Sequence, residues 1–224
     1  MPVEVVVREA AVVEDPALLD VLDEAERARA ARKRRPTPFV TAHAVSRRLL
    51  GDLVGADPRS LTFVRRCTTC GSESHGKPSL VDSPWGFSRS YTGGLVVVAA
   101  ALDHGVGVDV EELDEADFAD FDRVTLAAPE SAHLAGLTGE PLLEARARTW
   151  ARKESILKAT GHGLVVDPTE VVVSAPGEAP ALRDWLSEST APAQLALADV
   201  PLDSPSHRAA VSVVGAAEVT VRRG

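Results

Sequence analysis

Runs of apolar residues along the chain predict several β-strands. The β-branched run at residues 3–7 predicts an opening strand, and apolar runs at residues 95–102 and 106–111 predict two more. Because residues 103–105 form a turn signal, we expect the last two strands to pair as a β-hairpin. Shorter strands are predicted at residues 171–174, 211–214 and 219–222.

Apolar side chains at helical spacing predict helices between these strands. One pattern begins at Asp15, a second covers about residues 39–53, and a third covers residues 142–160 with Gly161 as its C-terminal cap. Residues 61–90 instead mix short apolar pieces with glycine, proline and serine, which predicts loops and short strands. This mixture of strands and helices is typical of an α+β fold.

The order of these elements predicts two similar halves, which we place at residues 1–105 and 106–224. No repeat of individual residues is visible between them, so a duplication would be structural only. Apolar runs are too short for a membrane helix, and the first residues lack a signal-peptide pattern. Two cysteines cannot form a disulfide framework, so we expect a cytoplasmic protein with no membrane partner.

The charges of the chain are strongly segregated. The net charge of −9 and the 4% of aromatic residues argue against a nucleic-acid partner. Residues 26–35, however, hold six basic residues and one acid, whereas residues 109–122 hold eight acids and no base. This separation favours a protein that binds a polyanion at one place and a cation at another.

Two carboxylates share one face of the strand predicted at residues 106–111. Alternation directs the valines to one side and Gly107, Asp109 and Glu111 to the other. Carboxylates at this spacing can converge on a hard cation such as Mg²⁺, and the glycine would let a ligand approach the backbone. The alternative is a solvated strand face, which the pattern by itself favours.

On the predicted helix 142–160, Glu154 and Lys158 are four residues apart and share a face. The pattern alone favours an ordinary surface salt bridge between them. Alternatively, Glu154 is a metal ligand or a base, and Lys158 contacts a phosphate. Lys77 lies on a loop shaped by glycine and proline, where an ammonium could meet a phosphate.

The pair Cys67 and Cys70, followed by His75, has the spacing of half a zinc site. No second pair of cysteines is present to complete it. We therefore expect a reduced pair packed beneath the loop rather than a metal centre.

Four segments taken in order resemble the 4′-phosphopantetheinyl transferases of the surfactin-synthetase type. They are residues 76–78 (GKP), 87–93 (FSRSYTG), 107–111 (GVDVE) and 150–161 (WARKESILKATG). The last two, about 40 residues apart, are the most specific. The preceding cysteine pair resembles a variant associated with actinobacterial members.

The resemblance implies a pseudo-dimer of two α+β halves with coenzyme A in the cleft between them. It implies transfer of phosphopantetheine from coenzyme A to a serine of an apo acyl or peptidyl carrier protein of polyketide or non-ribosomal peptide synthesis, with release of adenosine 3′,5′-bisphosphate. It also implies a monomer, because the two halves supply both walls of the cleft.

By the same resemblance, Asp109, Glu111 and Glu154 would hold Mg²⁺ against the pyrophosphate. Glu154, or a water on the metal, would take the serine proton, and Lys158 would stabilise or protonate the leaving phosphate. The residues implied for coenzyme A binding are Arg27, Arg35, Arg48, Lys77, Arg89, Ser90, Tyr91, Asp109 and Lys158.

The chain departs from the family at one position of this set. The family loop usually reads Ser-His-Ser, with the histidine on the 3′-phosphate, whereas this chain has Ser90-Tyr91-Thr92. A tyrosine donates a hydrogen bond but carries no positive charge near neutral pH, and Arg89 is the neighbouring cation that could compensate. The departure motivates an alternative function, a catalytically weak homologue that binds carrier proteins or regulates them.

Overall fold

The computed structural model describes residues 1–66, 71–73 and 76–224. The expectations for Cys67, Cys70 and His75 lie outside these residues. Within them, runs of strands and runs of helices follow one another, as expected for an α+β fold. No helix of the described part of the chain is both long and apolar enough to cross a membrane.

The described residues form strands β1 (Val3–Ala11), β2 (Phe63–Arg66), β3 (Lys77–Leu80), β4 (Trp85–Thr92), β5 (Leu95–Leu102), β6 (Gly105–Glu112), β7 (Val171–Val173), β8 (Leu182–Trp185), β9 (Leu195–Val200), β10 (His207–Val214) and β11 (Val219–Arg223). The helices are α1 (Glu24–Ala31), α2 (Thr37–Val54), α3 (Phe121–Thr125), α4 (Ala128–Leu134) and α5 (Gly139–Thr160).

The order and pairing of the strands repeat. The first half follows the path β1, α2, β2, β3, β4, β5, in which β5 lies between β1 and β4. The second follows β6, α5, β7, β8, β9, β10, in which β10 lies between β6 and β9. In each half the two intervening short strands pair with each other, and β11 joins the first sheet beside β1. The similarity of the halves, invisible at the level of residues, therefore lies in their topology.

The two sheets pack face to face between the long helices. Valines and alanines of β1 and β5 on the first sheet meet the valines of β6 and β10 on the second in one buried cluster. Helix α2 covers the outer face of the first sheet through Leu49 and Leu50, and α5 covers the second sheet through Ile156 and Leu157. The resulting order of layers is helix, sheet, sheet, helix.

The predicted β-hairpin of β5 and β6 is wrong. Strand β5 pairs with β1 and β4, and β6 pairs with β10 in the other sheet. Both edges of β5 are thus occupied, and at Asp103, whose φ is +57°, the chain turns into the second sheet. The apolar faces of β5 and β6 are buried against each other across the sheets, which satisfies the same hydrophobic pattern without pairing.

The helix predicted to begin at Asp15 is two separate short elements in the structure. A 3₁₀ turn covers Pro16–Val21, and a new capping box between Asp23 and Glu26 starts α1. The opening strand and the two long helices are confirmed, each longer than the pattern predicts.

Gly107 permits the close approach of α5 to β6. A Cβ at this position would lie 2.0 Å from the Ser155 carbonyl oxygen and 2.3 Å from the Ala159 nitrogen. The expectation that this glycine admits a ligand is therefore corrected: the backbone of α5 fills that space. Because α5 carries Glu154 and Lys158, this contact sets how near they come to the strand.

Substitution Gly107→Ala should lower the free energy of unfolding by about 3 kcal/mol, because β6 and α5 must separate to admit the methyl group. Urea unfolding measures the change. Gly177→Ala is the matched control, since its Cβ would meet no heavy atom of the described residues within 4 Å. Equal stability of the two variants would contradict this account of the packing.

Candidate functional site

Asp109 is the centre of the candidate site, on the face of β6 that meets α5. It is 2% exposed, and its Oδ1 accepts hydrogen bonds from Ser90 Oγ at 2.7 Å and from Lys158 Nζ at 2.5 Å. Lys158 Nζ also donates to Ser90 Oγ at 3.0 Å. The alternation of β6 produces this arrangement, because its valines fill the core between the sheets and Asp109 must face the other way.

Two more carboxylates crowd this aspartate. Burial, the charge of Asp109 and a hydrogen bond shared with it raise the pKa of Glu111 to about 10. Burial and the charge of Asp109 also raise the pKa of Glu154, against the opposing effect of Lys158. Three carboxylates beside one lysine cannot all ionise without strong mutual repulsion, which a bound cation would relieve.

The structure corrects the two interpretations that the sequence pattern alone favours, a solvated strand face for Asp109 and a surface salt bridge between Glu154 and Lys158. Asp109 is buried rather than solvated, and Lys158 pairs with Asp109 in the sequence-distant strand. Burial opposes the charge of Lys158, but the carboxylates, Asp109 foremost, raise its pKa above the ordinary value. Glu154 and Lys158 therefore belong to a half-buried ionic cluster rather than to an exposed salt bridge.

The donor atoms of this cluster fit a magnesium ion. Asp109 Oδ2 and Glu154 Oε1 are buried and have no hydrogen-bond partner in the described part of the chain. Among the same residues, no group of three or more aspartate, glutamate, histidine or cysteine side chains is placed to hold a metal ion together. Mg²⁺ usually takes one or two carboxylates and completes its shell with water and substrate phosphates, so two such oxygens suit it.

Lys158 also lines a cavity of about 520 Å³ between the two halves. Its first wall comes from β3, β4 and α2, and its second from the C-terminal end of α5 and the turn that follows. The positively charged side chains that line it are Lys33, Arg65, Lys77, Arg89 and Lys158. Apolar side chains contribute the rest, including Phe39, Phe87, Leu157 and Val165. Cationic and apolar walls together suit a ligand with phosphates and an aromatic base.

Lys77 joins the two halves. Its Nζ donates to the Val106 carbonyl at 2.7 Å and to the Ala159 carbonyl at 3.4 Å. Burial lowers its pKa to about 8. An ammonium has three donors, so one remains for a ligand in the cavity. Lys77 is therefore a cross-link at the start of β3 and not a free loop lysine.

Arginines concentrate on the first wall of the cavity. Arg89 is half-buried beside Arg65, and burial together with Arg65 lowers its pKa to about 9. Burial and the nearby Arg29 also lower the pKa of Arg65. Arg29 lies outside the lining of this cavity, in a neighbouring pocket that Arg65 and Arg89 share, and its buried Nε has no hydrogen-bond partner among the described residues. Positive charges this close together disfavour one another's protonated forms, so an anion that neutralises them would bind favourably.

The remaining predicted binding residues divide into two groups. Tyr91 lines the cavity, whereas Ser90 is buried against Asp109. Arg27, Arg35 and Arg48 are exposed and outside the lining of this cavity. The Nε of Arg27 donates to the Leu19 carbonyl at 3.0 Å instead.

Sequence reasoning missed the buried network behind the arginines. Arg47 is fully buried and donates to Glu26 Oε2 at 2.6 Å and to Asp23 Oδ2 at 2.5 Å. Glu26 Oε1 lies 2.8 Å from Nδ1 of His43, which lines the cavity. The capping box Asp23-x-x-Glu26 was a visible signal for one end of this network, but nothing local indicates the contact of α1 with α2.

Comparisons with known proteins agree with the resemblance. Residues 105–212 match the family model described as the 4′-phosphopantetheinyl transferase superfamily. The chain is 30% identical over 182 residues to the 4′-phosphopantetheinyl transferase HetI of Nostoc sp., covering 79% of this chain and 70% of HetI. It is also 30% identical over 182 residues to slr0495 of Synechocystis sp., provisionally named a 4′-phosphopantetheinyl transferase, covering 78% of this chain and 70% of slr0495.

The Glu26–His43 contact should make stability depend on pH. Burial, partly offset by the hydrogen bond to Glu26, lowers the pKa of His43 from 6.5 to about 4. Below pH 6.5 the unfolded chain then binds a proton that the folded chain does not, so stability falls as the pH decreases towards 4. The loss is on the order of 3 kcal/mol at 1.36 kcal/mol per pKa unit.

Chemical unfolding between pH 7 and pH 4 measures this dependence in wild type and in His43→Gln. The variant should show the shallower decline, since the other histidines titrate alike in both proteins. Parallel curves would mean that His43 is not held neutral in the folded chain.

Proposed function

This chain belongs to the 4′-phosphopantetheinyl transferase superfamily, and on that premise we propose that it transfers phosphopantetheine from coenzyme A to a serine of an apo acyl or peptidyl carrier protein. The carrier would belong to polyketide or non-ribosomal peptide synthesis. The observation that carries the proposal is the pair of buried oxygens on Asp109 and Glu154 that no described residue hydrogen-bonds, beside Lys158 at the edge of a cationic cavity.

In this reaction the serine oxygen attacks the phosphorus that bears the pantetheine arm. The bond to the bridging pyrophosphate oxygen breaks, and adenosine 3′,5′-bisphosphate leaves. Glu154, or a water on the metal, would accept the serine proton. Lys158 would stabilise the charge that develops on the leaving phosphate.

Asp109 and Glu154 would hold Mg²⁺, and Glu111, the third ligand that the resemblance implies, stays a prediction. When bound, the ion would neutralise charge on the pyrophosphate and polarise it for attack. Lys77, Arg65 and Arg89 offer the positive charges for the phosphates at the adenosine end. The cationic neighbours of Tyr91 support binding without the usual loop histidine.

The subfamily, the location in the cell and the oligomeric state are part of the same proposal. The order of the motifs and the repeated halves support the surfactin-synthetase type. Both relatives are cyanobacterial, so the actinobacterial resemblance stays a prediction. We also propose a cytoplasmic monomer that binds coenzyme A across the two halves, at residues 1–105 and 106–224.

A catalytically weak homologue that only binds carrier proteins is the second candidate, favoured by Tyr91 at the position of the usual histidine. The two functions differ in turnover. Carrier binding without transfer, unchanged by Tyr91→His, would favour the second candidate.

Transfer itself should be measured with a panel of apo carrier proteins, coenzyme A and Mg²⁺. We expect at least one carrier to gain the mass of one phosphopantetheine group on its serine, and chelation of the metal to stop the gain. Absence of the modification from every carrier, with the protein folded, would contradict the proposed activity.

Asp109→Asn and Glu154→Gln should each lower transfer by at least about a hundredfold, because each removes a charge that balances the metal and one of them removes the base. Asp114→Asn is the matched control, an exposed acid of the same acidic stretch. Thermal unfolding should establish that all three variants are folded. Activity near that of wild type in Asp109→Asn or Glu154→Gln would remove that residue from the metal site.

A further inference from the structure

His43 is a buried histidine whose ring is fixed from two sides. Its side chain is 3% exposed, its ring stacks on Phe39 with centroids 3.9 Å apart, and its Nδ1 lies 2.8 Å from Glu26 Oε1. It nevertheless lines the cavity between the halves. The metal and carboxylate chemistry of the Asp109 cluster makes no use of it.

The partners of Glu26 determine which nitrogen of His43 carries a proton. Burial would raise the pKa of Glu26, but hydrogen bonds from His43 and Arg47 lower it to about 2. A carboxylate that is ionised near neutral pH can only accept, so Nδ1 of His43 must be the donor. The ring edge that carries Nε2 is then left for the cavity.

Positive charges surround this ring. The charged groups near it are Glu26 and Arg29 from α1, Arg47 from its own helix, Arg65 from β2, Arg89 from β4 and Lys33 from the segment after α1. With no anion present, burial and the arginines disfavour a further proton on the ring. A phosphate among the same arginines would reverse the balance, because it neutralises them and places an acceptor in the cavity.

We propose that His43 recognises a phosphate of the bound ligand by taking up one proton from solvent at Nε2 and donating it to a phosphate oxygen. Glu26 holds the resulting imidazolium at Nδ1, so that carboxylate, imidazolium and phosphate form one line of alternating charge. The identity of the ligand as a coenzyme A phosphate rests on the proposed function.

This arrangement gives His43 a role beyond packing. The Glu26 carboxylate, itself fixed by Arg47 and by the Asp23 backbone N–H, supplies a preformed counter-charge for the imidazolium. Binding is thereby coupled to the buried network between α1 and α2. Tyr91, on the lining of the same cavity, cannot supply this charge.

The test uses the full chain and adenosine 3′,5′-bisphosphate as the probe. Long-range ¹H–¹⁵N NMR of the imidazole groups at pH 7 distinguishes a neutral ring protonated at Nδ1 from an imidazolium. We expect the His43 signals, identified by their loss in His43→Gln, to change from the neutral form to the imidazolium on saturation with the probe.

Affinity for the probe provides the second measurement. His43→Gln should weaken binding about tenfold at pH 7, the value of one charge-assisted hydrogen bond. His133→Gln, an exposed histidine outside the cavity, is the matched control and should bind as wild type does.

The outcomes separate this inference from the proposed function. A ring that stays neutral in the complex, or unchanged affinity in His43→Gln, would overturn the role of His43 while leaving the transferase assignment intact. Absence of any binding of the probe to wild type would contradict both. Retention of the signals of the other five histidines in His43→Gln would establish that the variant is folded and that the assignment holds.

Discussion

The Asp109 carboxylate joins side chains from both halves of the chain. It is carried by β6 and receives a hydrogen bond from Ser90 of β4 and a charged one from Lys158 of α5. Its position follows from packing, because the β6 valines are buried between the sheets and the residues that alternate with them must face α5. Gly107 then brings α5 close enough for its ionic side chains to reach the strand.

Burying these charges is costly unless they are paired. The cluster around Asp109 has more carboxylates than cations, whereas the described residues that line the cavity beside it include arginines and lysines and no acid. A ligand that carries phosphates and a bound cation is complementary to both, because its phosphates would face the basic cavity and its cation would face the carboxylates. This division explains how a chain with a net charge of −9 can offer a site for phosphates.

Local patterns predicted what depends on local geometry. The alternation of β6 placed Asp109 and Glu111 on one face, and the helical period did the same for Glu154 and Lys158. The contacts that turn these faces into a site are long-range: Lys158 reaches Asp109 across 49 positions of the chain, and His43 reaches Glu26 across 17. The hairpin prediction failed for the same reason, since the two strands bury their apolar faces equally well in different sheets.

Diffraction from crystals grown with coenzyme A and Mn²⁺ in place of Mg²⁺, recorded at the manganese absorption edge, tests the central claim most directly. The account predicts one strong anomalous peak bonded to Asp109 and Glu154, in contact with the pyrophosphate of coenzyme A, and an adenosine end in the cavity lined by Arg65 and Arg89. A peak bonded to neither carboxylate, or coenzyme A outside this cavity, would contradict it.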